Sequence, residues 1–177
     1  MQTPAQDVVA VARGYSPLQV VFHWIVAALV TYQLLFHQGM KDAWDAVENG
    51  ERLSSGDGNA ASLHFAIGMT IFVLAFARLT LRFTKGAPPI DNPIPIVRVI
   101  AVTTHWLLYG FLFFMPITGF SAWFLGIGDA ADWHEAGKLI LIPLILLHAT
   151  GALAEQFVFR TGALKRMLVP IHSAPQG

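Results

Sequence analysis

Long apolar runs alternate with polar segments along this sequence, and the pattern repeats four times. The apolar runs cover residues 17–36, 62–83, 97–125 and 133–159. A helix that crosses the hydrocarbon core of a membrane needs about 20 mostly apolar residues, and each run supplies them. The acidic segment 37–61 contains Gly50, Gly56 and Gly58, and the segment 84–95 is rich in proline, so we expect loops there. The pattern predicts four membrane-spanning helices.

Composition narrows the fold class. The chain has 177 residues, of which 55% are hydrophobic and 12% are charged, whereas a soluble domain carries about 25% charged residues. We therefore expect residues 1–177 to form one all-α integral membrane domain, a four-helix bundle in contact with lipid and without a nucleic-acid partner. The absence of cysteine excludes disulfides, thiolate-bound iron–sulfur clusters and covalently attached c-type haem.

The charged residues are divided unequally between the two sides that four spans define. The N-terminal segment, the 84–95 loop, the C-terminal tail and the adjoining span ends carry eight of the eleven basic residues and three acids. The eight are Arg13, Arg78, Arg82, Lys85, Arg98, Arg160, Lys165 and Arg166. The opposite side carries eight acids against Lys41, Arg52 and Lys138. Because cytoplasmic segments are rich in lysine and arginine, this predicts a multi-pass membrane protein with both termini in the cytoplasm.

Histidines inside the predicted spans are the candidate functional residues, because ionisable groups in a membrane are costly and usually functional. His134 and His148 lie fourteen residues apart on one face of the fourth span, which is about 21 Å along a helix. The predicted topology places His64 near the outer boundary, level with His134. It places His23 and His105 in the inner half, level with His148.

Two six-coordinate irons need four imidazoles, so this distribution predicts two buried haems at two depths. His64 and His134 form the candidate outer pair, and His148 forms the inner pair with either His23 or His105. His37 is a weaker rival for the outer site. For His37 and His172, an ordinary polar position at the membrane interface is the simpler interpretation.

Two further features agree with haem binding, and each has a plainer explanation. Arg78 follows His64 by fourteen residues, so it lies near the inner level, where a guanidinium can pair with a haem propionate. It is also an ordinary basic residue of the cytoplasmic side. Small residues one turn from the histidines leave room for a flat ring or simply allow close helix packing. They are Ala27, Gly68, Gly137 and Gly151.

Six segments together resemble the bacterial cytochrome b561 family. They are SPLQVVFHWIV, SLHFAIG, FARLTLRF, HWLLYGFLFFMPITG, DWHEAGKLI and LLHATGALA, which extend over nearly the whole chain. The resemblance implies a four-helix bundle that holds two b-type haems, with the fourth span ligating both. Carried over by position, it pairs His23 with His148 and His64 with His134. His105 is then a non-ligand near a haem or a quinone.

The resemblance also implies a location, the bacterial inner membrane, and a function, which is electron exchange with the quinone pool. Oxidation of superoxide at the periplasmic side has been proposed for proteins of this type. His105 and Glu155 are the candidate quinone contacts, although related chains can carry histidine where this one has Glu155 and Gln156. Partners to consider are lipid, quinone, a small one-electron donor or periplasmic redox protein, and a second copy of the chain.

Two other functions are weighed against this one. A cytochrome b anchor subunit would relay electrons for a soluble dehydrogenase or hydrogenase. A metal transporter would need its histidines to converge on one polar pathway, whereas here they divide between two levels.

Overall fold

The computed structural model describes residues 14–170, which form six helices. The helices are α1 (Pro17–Leu35), α2 (Gln38–Glu48), α3 (Ser55–Lys85), α4 (Pro95–Leu125), α5 (Gly128–Phe157) and α6 (Ala163–Leu168). Four of them, α1, α3, α4 and α5, are long and apolar enough to cross a membrane. The predicted all-α membrane bundle is thereby confirmed. Arg13 and His172 lie outside the described residues.

The first helix begins where its sequence provides a cap. Ser16 and Gln19 form a capping box in which each side chain accepts a hydrogen bond from the other's backbone N–H. Pro17 follows in the first turn, where its missing N–H costs nothing. The side-chain amide nitrogen of Gln19, Nε2, also donates to the carbonyl oxygen of Gly86 at 2.9 Å. This bond ties the start of α1 to the end of α3.

The expectation of a loop over 37–61 is wrong for most of its length. The short helix α2 occupies part of it, and α3 begins at Ser55 and includes Gly56 and Gly58. Those glycines lie in the first turn, where Ser54 caps the helix by accepting from the Asp57 backbone N–H at 3.1 Å. Gly50 does end α2, since its φ of +69° is in the left-handed region that glycine tolerates.

The transmembrane helices pack in a row, with α1 against α3, α3 against α4, and α4 against α5. The α4–α5 contact is the most extensive of these. A Cβ on Gly137 of α5 would lie 2.6 Å from the Met115 sulfur of α4, so the glycine permits this close approach. In the described part of the chain, neither α1 nor α3 packs closely on α5. The side of α5 that faces α1 and α3 is therefore left without close helix packing.

The outside of the bundle is apolar. Leu139 is 76% exposed, Phe83 70% and Val73 62% in the isolated chain, as expected of side chains that face lipid. We name the two ends of the bundle after the short helices: the α2 end, which contains His64, and the α6 end. At the α6 end the indole N–H of Trp24 donates to the Met167 carbonyl oxygen at 2.8 Å, which fastens α6 to α1.

Candidate cofactor sites

Two pairs of histidines bridge helices that do not otherwise pack together. The ring centres of His64 on α3 and His134 on α5 are 6.1 Å apart. Those of His23 on α1 and His148 on α5 are 6.0 Å apart. Both pairs lie on the side of α5 against which α1 and α3 do not pack closely. The sequence-predicted residues are thus brought together in two pairs at different levels of the bundle.

The separation within each pair matches two imidazoles on one metal. A bond from imidazole nitrogen to a metal is about 2.0–2.1 Å, which places the ring centre about 3 Å from the metal. Two rings on opposite sides of a metal therefore have centres about 6 Å apart. Both pairs have this spacing.

The His134 ring is oriented by the neighbouring helix α4. Its Nδ1 lies 2.8 Å from the carbonyl oxygen of Met115 and 3.2 Å from the hydroxyl oxygen of Thr118. A carbonyl only accepts, so Nδ1 is the donor and Nε2 is left with a free lone pair. A hydrogen bond of this kind fixes the tautomer and the ring plane of a metal-binding histidine. The geometry presents Nε2 as the ligand atom.

His23 and His64 lack such a bond. In residues 14–170, the Nδ1 of each ring is buried without a hydrogen-bond partner. The main chain of His64 is nevertheless held, because the Gln33 amide nitrogen donates to its carbonyl oxygen at 2.8 Å. The rings of these two histidines are therefore not oriented by a hydrogen bond as the His134 ring is.

A cavity of about 280 Å³ adjoins the pair at the α2 end. His64, His134, Gly68 and Gly119 are among the residues that line it, and Trp44 of α2 covers part of it. The volume is close to the lower limit of about 300 Å³ for pockets that hold organic ligands. An organic group can therefore lie beside this histidine pair.

His105 lies next to the other pair. Its ring centre is 5.0 Å from that of His148, in an edge-on arrangement. Its Nδ1 bonds the Ala101 carbonyl oxygen of its own helix at 2.6 Å. The spacing from His148 is shorter than the about 6 Å expected for two imidazoles on one metal. The structure thus places both candidate partners beside His148, with His23 at the better separation.

Arg78 lies in the last third of α3, and one of its N–H groups forms no hydrogen bond in residues 14–170. In the described part of the chain its Nε is buried without a hydrogen-bond partner. Its guanidinium carbon is 5.9 Å from the ring centre of Tyr109 on α4. A buried donor without a partner costs free energy, so this position suits an acceptor from a bound group.

Comparison with known proteins agrees with this arrangement. The family model described as prokaryotic cytochrome b561 matches residues 14–170. The chain belongs to this family. The cytochrome is 34% identical to cytochrome b562 of Cereibacter sphaeroides over 158 residues, which cover 89% of this chain and 96% of the relative. It is 29% identical to the probable superoxide oxidase CybB of Yersinia pestis over 180 aligned positions, which cover 88% of this chain and 96% of that relative. No solved structure gives a significant match.

Family membership establishes the general function. This chain is a b-type cytochrome of a bacterial membrane, it crosses that membrane several times, binds haem b and takes part in electron transfer. The histidine pairs fit haem, because both have the spacing of two imidazoles on one metal and half-buried rings, and a cavity adjoins the pair at the α2 end. In residues 14–170, no three histidine, aspartate or glutamate side chains converge as they would around a bare metal ion.

Glu155 of the cytochrome connects a loop to a helix through hydrogen bonds, which the sequence did not indicate. It is 7% exposed, and its two carboxyl oxygens accept hydrogen bonds from the Asn92 amide and the Thr161 hydroxyl, both at 2.7 Å. Asn92 is itself 1% exposed and accepts a bond from the Ile94 backbone N–H at 2.9 Å. These bonds join the 84–95 loop to the end of α5. Both Glu155 oxygens already accept a hydrogen bond within the chain, and a quinone contact at this residue stays a prediction.

The small residues near the histidines have different roles. Gly68 lines the cavity of the cytochrome, as expected for a residue that leaves room for a ring. Gly137 instead packs against Met115, which is the helix-packing alternative. A Cβ on Gly151 would meet nothing within 4 Å. His37 also lines the cavity, where its Nδ1 lies 2.9 Å from the Leu34 carbonyl oxygen.

The sequence analysis missed Gly119 altogether. A Cβ at this position would lie 3.1 Å from both Cε1 and Nδ1 of His134, so the ring would have to shift by a few tenths of an ångström to admit it. The signal was present in the segment MPITG, where a glycine follows Pro116 by three residues. Its importance depends on the helix packed opposite, which no local pattern shows.

Proposed function

We propose that the cytochrome holds two haem b groups and carries electrons between a one-electron donor at the periplasmic side and quinone in the membrane. One would be held between His64 and His134, the other between His23 and His148. The observation that carries this proposal is the pair of separations, 6.1 Å and 6.0 Å, across helices that do not pack closely. Haem supplies a reversible one-electron change at its iron.

The residues of the chain would bind the two groups and set their surroundings. The four imidazoles would bind the two irons, and the Met115 carbonyl oxygen orients the His134 ring by accepting from its Nδ1. Apolar walls exclude water and lower the local dielectric, which is one way a protein adjusts a reduction potential. Arg78 offers a cation and an unused N–H to a carboxylate near the inner pair.

The orientation in the membrane follows from the charges. The segments at the α6 end carry most of the lysines and arginines, and the α2 end carries most of the acids. We therefore assign the α6 end and both termini to the cytoplasm and the α2 end to the periplasm. His64 and His134 then lie nearer the periplasm, and His23 and His148 nearer the cytoplasm.

Superoxide is the donor that this arrangement favours. The similarity to a probable superoxide oxidase supports it, as does Lys138, which lines the cavity one turn from His134. In the overall reaction, two superoxide ions become dioxygen by losing one electron each. One quinone gains these two electrons and two protons to become quinol. His105, beside His148, is the candidate quinone contact.

The test of two-haem binding is the haem-to-protein ratio of the purified chain with its reduced-minus-oxidised spectrum. We expect two non-covalent haems, both low-spin with two histidine ligands. His134→Ala should remove chiefly the haem at the α2 end, and His148→Ala the other. A ratio of one haem, or retention of both low-spin haems in either variant, contradicts the proposal.

A further inference from the structure

A second, smaller recess lies at the α6 end of the cytochrome. We call it the arginine cleft, and it is bordered by Tyr15, Gln19, Arg78, Arg82, Tyr109 and Met167. Residues from α1, α3, α4 and α6 meet there. The recess therefore depends on the assembled bundle and not on one helix.

Two cations face this cleft without an anionic partner. In residues 14–170, neither Arg78 nor Arg82 forms an ion pair, whereas nearby Arg166 pairs with Asp91 at 3.3 Å. Both arginines are only partly exposed, and the Nε of Arg78 is fully buried. Partly buried guanidinium groups without acceptors are costly unless something supplies the oxygen atoms. An anion would supply these oxygen atoms to the two guanidinium groups.

Aromatic rings lie close to the two guanidinium groups. The Arg82 guanidinium carbon lies 5.2 Å from the Trp106 ring centre and 5.9 Å from that of Tyr109. Arg78 lies 5.9 Å from the same tyrosine ring. A cation within about 6 Å of an aromatic ring centre is attracted to the ring, and the N–H groups of a guanidinium can still donate to a carboxylate or a phosphate.

Tyr15 adds a neutral donor to the cleft. Burial raises the pKa of its hydroxyl above the ordinary value, although the charges of Arg82, Arg166 and Arg78 act in the opposite direction. The hydroxyl is therefore protonated at neutral pH and can donate. Gln19 is not free to do so, because its amide nitrogen already bonds the Leu81 and Gly86 carbonyl oxygens.

The cleft lies beside the inner histidine pair. Tyr109, which contacts both arginines, is one helical turn from His105 on α4. The His105 ring is 5.0 Å from that of His148. A haem ligated at His148 carries two carboxylate side chains, which are anions of the kind that the cleft lacks.

We propose that the arginine cleft binds the carboxylates of the haem held between His23 and His148, with Arg82 and Tyr15 acting beside Arg78. This inference rests on the two-haem proposal above. It adds that Arg82 raises the reduction potential of the inner haem, because a nearby cation favours the reduced, less positive iron. A lipid phosphate offers similar oxygen atoms and is the alternative occupant.

The test is redox potentiometry of the full-length holoprotein. Arg82→Gln should shift only the inner haem, identified as the component that His23→Ala removes. The shift should be downwards by roughly tenfold in the reduction equilibrium constant, which is about 59 mV for one electron. Tyr15→Phe should move the same component in the same direction by less. The matched control is Arg98→Gln, which removes an exposed arginine near the same end and should shift neither haem.

A second arm identifies the anion. The full chain is loaded with haem whose carboxylates are methyl esters, and the effect of Arg82→Gln on the inner potential should then vanish. An undiminished effect that disappears when anionic lipids are removed assigns the cleft to lipid and overturns the proposal. No shift in Arg82→Gln also overturns it.

Loss of haem needs separate treatment. If Arg82→Gln fails to retain the inner haem, Arg82→Lys decides the question, since it keeps the charge. Recovery of the inner haem in Arg82→Lys, within threefold of the wild-type reduction constant, supports the proposal, and loss there contradicts it. The haem-to-protein ratio of the wild type distinguishes a failure of the cleft proposal from a failure of the two-haem proposal. Two haems without a potential shift reject the cleft alone, whereas one haem rejects the two-haem proposal itself.

Discussion

His134 of α5 donates from Nδ1 to the carbonyl oxygen of Met115 in α4 at 2.8 Å. A side chain of one helix is thus oriented by the main chain of its most extensively packed neighbour. Gly119, one turn further along α4, lies against the same ring. The ring can neither rotate without losing its hydrogen bond nor move towards α4 without meeting the backbone. The α4 segment 115–119 therefore forms a rigid seat for this imidazole.

The first prediction tests this seat. Gly119→Ala would place a Cβ 3.1 Å from the His134 ring, which must then shift by a few tenths of an ångström. Overpacking of this kind typically costs about 1–3 kcal/mol, so we expect the haem at the α2 end to bind roughly 5- to 150-fold more weakly. The measurement is haem per protein during titration with a competing apoprotein. Gly110→Ala on the same helix is the control, because its Cβ would meet nothing within 4 Å. Equal haem retention in both variants would contradict the seat.

The second prediction separates His23 from His105, which both lie beside His148. The 6.0 Å separation of His23 fits a shared metal, and the 5.0 Å separation of His105 is short for one. We expect His23→Ala to lose the inner haem or convert it to high-spin, while His105→Ala retains two low-spin haems. Electron paramagnetic resonance with the haem-to-protein ratio measures both. The reverse result would exchange the two residues.

The sequence predicted the spans because lipid imposes a length and an apolar composition on each one. It also placed His64 level with His134, and His148 level with both His23 and His105, since residues fourteen apart on one helix share a face at two depths. The structure pairs His64 with His134 at the separation that one metal requires. That inference needed only helix geometry and topology.

The features that were missed depend on contacts between distant segments. Asn92 lies in a proline-rich loop and gives no local sign that it will be buried against Glu155. For α2 a signal did exist, since Met40, Ala43, Trp44 and Val47 follow helical spacing and Ala43 is fully buried. The glycines and acidic residues around it concealed that pattern.

The third prediction concerns the bond between Asn92 and Glu155. Asn92→Ala would leave a buried carboxyl oxygen without its donor, which costs about 1–3 kcal/mol. We expect a lower unfolding temperature in detergent and an unchanged haem ratio in the folded fraction. Asn59→Ala is the control, because Asn59 is exposed on α3 and its loss should change little.

A double variant shows whether the two residues act together. If they do, Asn92→Ala should destabilise less when Glu155 is already alanine, since no buried carboxyl group is then left unpaired. Additive losses would assign the effect of Asn92→Ala to its other bond, with Ile94.

The last prediction concerns the approach of superoxide to the α2 end. Lys138 lies 3.5 Å from Glu135 and keeps 27% of its side chain exposed, in a rim that also contains Asp45, Glu48 and Asp132. This rim repels an anion, and Lys138 offsets the repulsion beside His134. Lys138→Glu should slow haem reduction by superoxide several-fold, with a larger effect at low ionic strength, because salt screens exposed charges.

Reduction by quinol should be unaffected by Lys138→Glu, since an uncharged lipid-soluble donor is not steered by the rim. Stopped-flow measurement with each reductant makes the comparison, and Lys165→Glu at the α6 end provides a matched charge reversal far from the rim. Equal superoxide rates in Lys138→Glu and Lys165→Glu would show that Lys138 does not guide the anion. A loss with both reductants would instead indicate damage to the haem site at His134. Only a loss that is specific to superoxide and weakened by salt places the donor at this rim.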